Sequence, residues 1–348
     1  MHVGLDLGSC GVRSISVSQA NLVGRRMSMN FCALPDDDDH RNWLTRAGIP
    51  FATCDACLLV FGEQAEMCAR MLHVPCQSLL PFGEMTGQDV LERQILAAQL
   101  ERFLPSERPG AIHTAPICCF SQPSDEESFP AAGDRRNRLL TQILQLRGYV
   151  PISVPAGIAL GLAEMVREGF SGIALVLGGT HSEMTITLHG NELLSHSLQI
   201  GGDWIDEEVA RRMNRYCYSP DGERILDVLT IRRWRERLAR PLLQPVGETD
   251  RLICEVYAEY LTDVICSFAW KIQQSGALPG RAWPLICGGG LSRTNGLRDL
   301  LARVLVESEF PIPISEIRLA SANEFTIARG CLARAHLEAE FRDQQRAA

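Results

Sequence analysis

The sequence predicts a doubled α/β protein, and three observations carry that prediction. A strand, a glycine-rich turn and a second strand open the chain at residues 2–18, and the same pattern returns at 171–188. Each is followed by stretches whose apolar residues recur with a helical period. At roughly 150 residues per domain the chain holds about two domains. The expected division is 1–150 with a small insert at 24–82, then 151–348 with a small insert at 204–253 and a closing helix at 324–340.

In the first half, Gly8, Ser9, Cys10 and Gly11 interrupt two apolar, β-branched runs, as a hairpin turn does. Residues 21–50 show no period and are expected to be irregular, with the acidic run 36–39 as a solvated loop tip. Cys57–Phe61 is a strand-length apolar run. Glu63–Leu72 puts Ala65, Met67, Cys68, Met71 and Leu72 on one side of a helix. Residues 88–104 form a longer amphipathic helix ended by Pro105. A buried strand is expected at 111–120, and a helix at 125–147 with Leu139, Leu140, Ile143, Leu144 and Leu146 as its inner stripe. A short strand and turn at 148–155 lead into a helix of small residues at 156–168.

The second half opens with its own strand, glycine turn and strand, and a third strand follows at 192–198. Helical period marks 206–218, 230–238 and 250–275, with Pro241 and Pro245 as breaks between the last two. Leu285, Ile286 and Cys287 form a strand that runs into Gly288, Gly289 and Gly290, and a helix follows at 296–306.

Composition narrows the function. The formal net charge is −8, which supplies no general attraction to nucleic acid or to an anionic membrane. No apolar run approaches the ~20 residues of a membrane span. Met1 leads straight into the first strand, so no secretory leader is expected, and the 13 scattered cysteines suit reduced thiols in a cytoplasm. Lys271 is the sole lysine, and the lysine-bearing phosphate loop G-x-x-x-x-G-K-[ST] does not occur. Cys54, Cys57, His73 and Cys76 have ligand types and spacing acceptable for zinc, against the simpler reading of packed thiols.

Five stretches resemble the actin-like ATPase superfamily, which holds actin, the heat-shock chaperone ATPase domain, sugar kinases and bacterial MreB. They are the runs Gly4-Leu5-Asp6-Leu7-Gly8-Ser9, Phe61-Gly62-Glu63-Gln64-Ala65-Glu66-Met67, Leu177-Gly178-Gly179-Thr180-His181, Ile200-Gly201-Gly202-Asp203-Trp204-Ile205-Asp206, and Cys287-Gly288-Gly289-Gly290-Leu291-Ser292-Arg293. Their order and spacing are most similar to MreB. The resemblance implies two lobes, each a ribonuclease-H-like mixed sheet flanked by helices, with ATP and magnesium in the cleft between them.

Backbone N–H groups converge on phosphate only where no Cβ intervenes, which is why glycine turns serve as anion clamps. By resemblance, Gly8, Ser9, Cys10 and Gly11 are the first phosphate loop and Gly178, Gly179 and Thr180 the second. Asp6 would hold magnesium through its water shell. Gly288, Gly289, Gly290, Ser292 and Arg293 would line the adenosine side. Gly202 and Asp203 would border the ribose, or Asp203 would cap the helix that begins beside it.

The departures from the family pattern concern catalysis. Val176 stands where an acidic residue precedes the second loop, and Val154 where a glutamate before proline polarises the attacking water. The family's ribose-contacting Glu and Lys are replaced around Arg232, Arg233 and Arg235. His181 and Glu183 are the remaining candidates for positioning water. Lost general-base help costs ~10²–10⁴ in rate, so at most a slow ATPase is expected. The resulting expectation is an ATP-binding cytoskeletal or scaffold protomer that stacks head to tail. The alternatives are a monomeric chaperone-like switch or regulatory pseudo-ATPase and, less favoured, a small-molecule kinase.

Overall fold

The computed structural model describes residues 1–9, 11–18, 21–54, 56–72, 74–78, 90–104, 115–124, 130–218, 223–238, 240–276, 280–321 and 324–347. Cys10, His73, Pro105 and parts of the expected elements at 88–104, 111–120 and 125–147 lie outside them.

The chain divides into two compact units. One comprises Met1–Gln122, Glu126–Val154 and Cys331–Ala348, the other Pro123–Asp125 and Pro155–Gly330. Residues from Cys331 onward group with the first unit, not with the second half of the chain that precedes them.

The first unit is built on β1 (Val3–Gly8), β2 (Gly11–Ser18) and β3 (Asn21–Ser28). An insert follows, made of β4 (Asn30–Pro35), α1 (Asp38–Arg46), β5 (Phe51–Cys54), β6 (Cys57–Phe61), α2 (Glu63–Leu72) and β7 (Gln77–Ser78). Then come α3 (Val90–Phe103), β8 (Ile117–Gln122), α4 (Pro130–Leu146) and β9 (Val150–Pro155). The main sheet has the order β3-β2-β1-β8-β9, and the insert has its own sheet, β5-β6-β4-β7. Ile95, Leu96 and Leu100 of α3 and Leu140, Ile143 and Leu144 of α4 pack with Val3, Leu5 and Leu7 in the unit's core.

Residues 21–50 are therefore structured, contrary to expectation. β3 escaped notice because residues 21–26 are all exposed on the sheet's edge, so no alternation of apolar and polar residues marks them. The acidic run starts a helix rather than forming a free tip. Asp37 caps α1 by accepting from the His40 N–H at 2.8 Å, Asp38 and Asp39 sit in its first turn, and Asp36 receives the Arg41 guanidinium. Carboxylates there meet the positive end of the helix dipole. Two predicted inner stripes also need correction: α2 buries Ala65, Cys68 and Ala69 while Met67 and Met71 face outward, and Leu146 at the end of α4 is exposed.

The second unit repeats the plan. It contains α5 (Ala156–Glu164), β10 (Gly172–Leu177), β11 (Ser182–Leu188), β12 (Asn191–Leu198), α6 (Gly202–Arg212), β13 (Tyr216–Tyr218), β14 (Arg224–Leu226), α7 (Val228–Glu236) and α8 (Glu248–Ser275). They are followed by β15 (Trp283–Gly288), α9 (Leu297–Glu307), β16 (Ile314–Leu319) and the first turn of α10 (Thr326–Ala347). Its sheet order, β12-β11-β10-β15-β16, matches that of the first unit strand for strand. In both, an antiparallel hairpin is extended on one side by a third strand and on the other by a parallel one. Tyr257, Tyr260 and Phe268 of α8 are essentially fully buried in its core, where a Phe contributes about 1.5–3 kcal/mol by burial. The helix expected at 206–218 stops at Arg212, because Tyr216–Tyr218 pairs with Arg224–Leu226 instead.

Candidate functional site

Each unit places a tight hairpin at the same point of its sheet. In the first, the register of β1 and β2 ends with Gly8 opposite Gly11. The same register sets Arg13 opposite Asp6. The Arg13 Nη1 lies 3.4 Å from Asp6 Oδ2 and 3.5 Å from the Gly11 carbonyl, and Ser121 Oγ of β8 donates to Asp6 Oδ1 at 3.0 Å. Asp6 is thus a nearly buried carboxylate with a guanidinium and a hydroxyl already on it.

In the second unit, Leu177 pairs with Ser182, and the Gly178 N–H donates to the His181 carbonyl at 2.9 Å. A Cβ on Gly178 would stand 2.7 Å from that oxygen, so only glycine closes this turn without displacement. The turn's own carbonyls face α6: the Gly202 N–H donates to Gly178 O at 3.1 Å and the Asp203 N–H to Gly179 O at 2.8 Å. Two of the unpaired N–H groups at the start of α6 are satisfied by the hairpin rather than by a side chain. Thr180 Oγ1 and His181 Nδ1 are 2.9 Å apart.

Glu183 sits opposite Val176 and is 3% exposed. Its Oε1 accepts from the Gly157 N–H in the first turn of α5 at 2.7 Å and from Thr185 Oγ1 at 3.2 Å, while Oε2 accepts from the Ser124 N–H at 3.2 Å. Burial outweighs these three donors and pushes its pKa up to about 7. Val154 is buried just before α5, so the carboxylate nearest the start of that helix comes from β11 rather than from β9.

On the expected adenosine side, β15 ends in Gly288 and Gly289. Gly289 has φ +91°, and a side chain there would run into the Leu177 backbone. Gly290 faces open space. Ser292 is buried and donates to the Gly289 carbonyl at 2.8 Å, which closes the turn, and Arg293 is exposed. Tyr257 OH donates to Leu291 O at 3.0 Å and holds the same segment from below.

Asp203 does not cap α6; the N-cap is Gly201, with no side-chain bond. Its carboxylate instead takes Arg232 Nη2 at 2.7 Å, and desolvation holds its pKa above the usual aspartate value despite that guanidinium. Beneath it, fully buried Asp206 receives Arg235 through Nε at 2.7 Å and Nη2 at 2.9 Å, a fork on both oxygens. A side chain on Gly202 would meet that guanidinium. Arg232 and Arg235 therefore bind α7 to α6, a structural use that the sequence, showing only their positions, did not reveal. Arg13 and Ser121 were missed altogether, although the hairpin register from Gly8 and Gly11 was enough to place Arg13 opposite Asp6.

A profile of the volactin family matches residues 1–335. The chain belongs to the volactin family. No curated protein matches the sequence. Among solved structures, MamK in its double helical filament is similar with a TM-score of 0.66 and 14% identity, covering 96% of this chain and 98% of that one. MreB5 of Spiroplasma citri bound to AMPPNP aligns with a TM-score of 0.64 and 13% identity over 100% of this chain and 98% of its own. The ethanolamine utilization protein EutJ from Carboxydothermus hydrogenoformans gives 0.53 and 13% over 95% and 89%. These likenesses establish the actin-like, MreB-like fold that the glycine motifs implied.

Two metal expectations meet the geometry differently. Magnesium on Asp6 does not suit the residues present: the carboxylate is already compensated by Arg13, and the equivalent position of the second hairpin is the apolar Val176. For zinc, His73 lies outside the described residues, and among the described residues no group of three His, Cys, Asp or Glu side chains is placed to hold a metal. Cys54 and Cys57 face each other across the β5–β6 hairpin without a disulfide between them, and the Cys54 thiol donates to Gln94 Oε1 at 2.6 Å. No helix among the described residues is long and apolar enough to cross a membrane.

Proposed function

We propose that this actin-like protein binds ATP through the glycine hairpins that open its two sheets, hydrolyses it slowly or not at all, and serves as a protomer that assembles head to tail. The observation that carries the reading is the repeated hairpin, with a glycine ending the first strand at Gly8 and a glycine in the equivalent place at Gly178. Support comes also from the solved structures, one of which holds AMPPNP and one of which is a filament.

Slow hydrolysis follows from the side chains that would otherwise activate water. Val154 and Val176 have no group to accept a proton, and Glu183 is engaged by three donors. Calorimetric titration with ATP and GTP tests the binding, with saturable uptake of ATP expected. Phosphate release at an ordinary enzymatic rate would refute the catalytic part. Sedimentation that is unchanged by nucleotide at every protein concentration would refute assembly.

A further inference from the structure

The first hairpin carries its own cation. Arg13 Nη1 lies 3.4 Å from Asp6 Oδ2, and a Cβ on Gly8 would stand 3.6 Å from the same nitrogen, so the guanidinium lies directly beside the glycine turn. The side chain is about four-fifths shielded, and its Nε is buried with no hydrogen-bond partner. An arginine so placed brings a fixed charge beside main chain that carries no Cβ. In the second unit the residue in Arg13's place is Glu183.

We infer that Arg13 supplies, from within the chain, the charge compensation that a divalent ion would otherwise bring to a bound polyphosphate, so that nucleotide binding here does not require a divalent cation. The inference rests on the nucleotide-binding reading above. Its physical basis is charge balance at Asp6. A carboxylate facing a guanidinium retains little excess charge to recruit a hydrated divalent ion, whereas a guanidinium can turn its remaining donors to phosphate oxygens without releasing the carboxylate. The Asp6 bond to Ser121 keeps that carboxylate in place while it does so.

The full chain titrated with ATP, once with magnesium and once with EDTA, tests this. The expected result is a Kd that differs by less than about threefold between the two conditions. Arg13→Met should weaken ATP binding by about tenfold or more in EDTA, the scale of one charge-assisted hydrogen bond. Added magnesium should then restore part of the loss, because Asp6 is freed. A wild-type protein that binds with magnesium and loses about tenfold or more in EDTA overturns the inference and leaves the nucleotide-binding reading intact. Unchanged binding by Arg13→Met in EDTA overturns it as well. Absence of binding under both conditions overturns the reading and the inference together. The wild-type comparison stands without the variant, whose folding is checked by its thermal melt.

Discussion

The two hairpins share a topology and differ in where their charge sits. In the first unit the carboxylate, Asp6, is on the incoming strand and faces an arginine on the outgoing one. In the second, the incoming strand offers Val176 and the carboxylate, Glu183, is on the outgoing strand, turned onto the N–H groups of Gly157 and Ser124. One frame thus yields a largely shielded ion pair and a desolvated acid. The fold specifies backbone and register; the residues at two facing positions decide the chemistry.

The largest effect should come from the support under the second hairpin. Asp206→Ala strands the buried Arg235 charge and should cost about 3–5 kcal/mol in a urea unfolding curve. Among the described residues nothing beneath the first hairpin has this form, so a loss below about 1 kcal/mol would remove the contrast in support.

The next effect is a pH dependence confined to the second hairpin. Glu183 titrates near 7 in the folded chain, well above the ordinary glutamate value, so between those values the folded state holds a proton that the unfolded state has released. Its contribution is full below the ordinary value and is lost as pH rises through about 7. A shift of this size corresponds to about 3 kcal/mol. Glu183→Gln should flatten the fall in unfolding free energy between pH 5 and pH 8, and an identical slope in the variant would show that burial of this acid is not its source.

The turns themselves differ more modestly. A Cβ on Gly178 would lie 2.7 Å from the His181 carbonyl, whereas one on Gly8 would lie 3.2 Å from that of Gly11. Gly178→Ala should therefore lower stability by about 1–3 kcal/mol, and Gly8→Ala by less; equal losses in denaturation would erase the distinction. Smallest is Arg13→Met, with about 1 kcal/mol or less, since the pair it breaks is partly solvated. A melting curve with a much larger loss would mean that Arg13 is chiefly a structural strut.

Much of this comparison is legible in the chain. Glycines at 8, 11, 178 and 179 between β-branched runs mark the doubled hairpins, and the helical period of 250–275 marks α8 almost to the residue. Edge strand β3 is not legible, because exposure on the sheet's rim erases the alternation that reports a strand. β16 is equally quiet, with Ile314, Ile317 and Leu319 none of them fully buried.

The candidate site divides in the same way. Its glycine turns could be named from sequence because turn geometry is a local property of the backbone. The partners of its charges could not, since Ser121 reaches Asp6 across 115 positions and Arg235 reaches Asp206 across 29.

Sequence alone determined that two glycine-turned hairpins open the two halves of the chain, and that Val154 and Val176 stand at two positions where the actin-like pattern places acidic residues. Tertiary structure alone decided that Asp6 faces Arg13 and Ser121, that Glu183 is buried enough to titrate near 7, and that Arg232 and Arg235 are consumed in joining α6 to α7. The reason is physical. Turn geometry follows from adjacent residues, whereas the energy of a charge depends on the solvent excluded and the partners gathered around it, and only the folded chain brings those together.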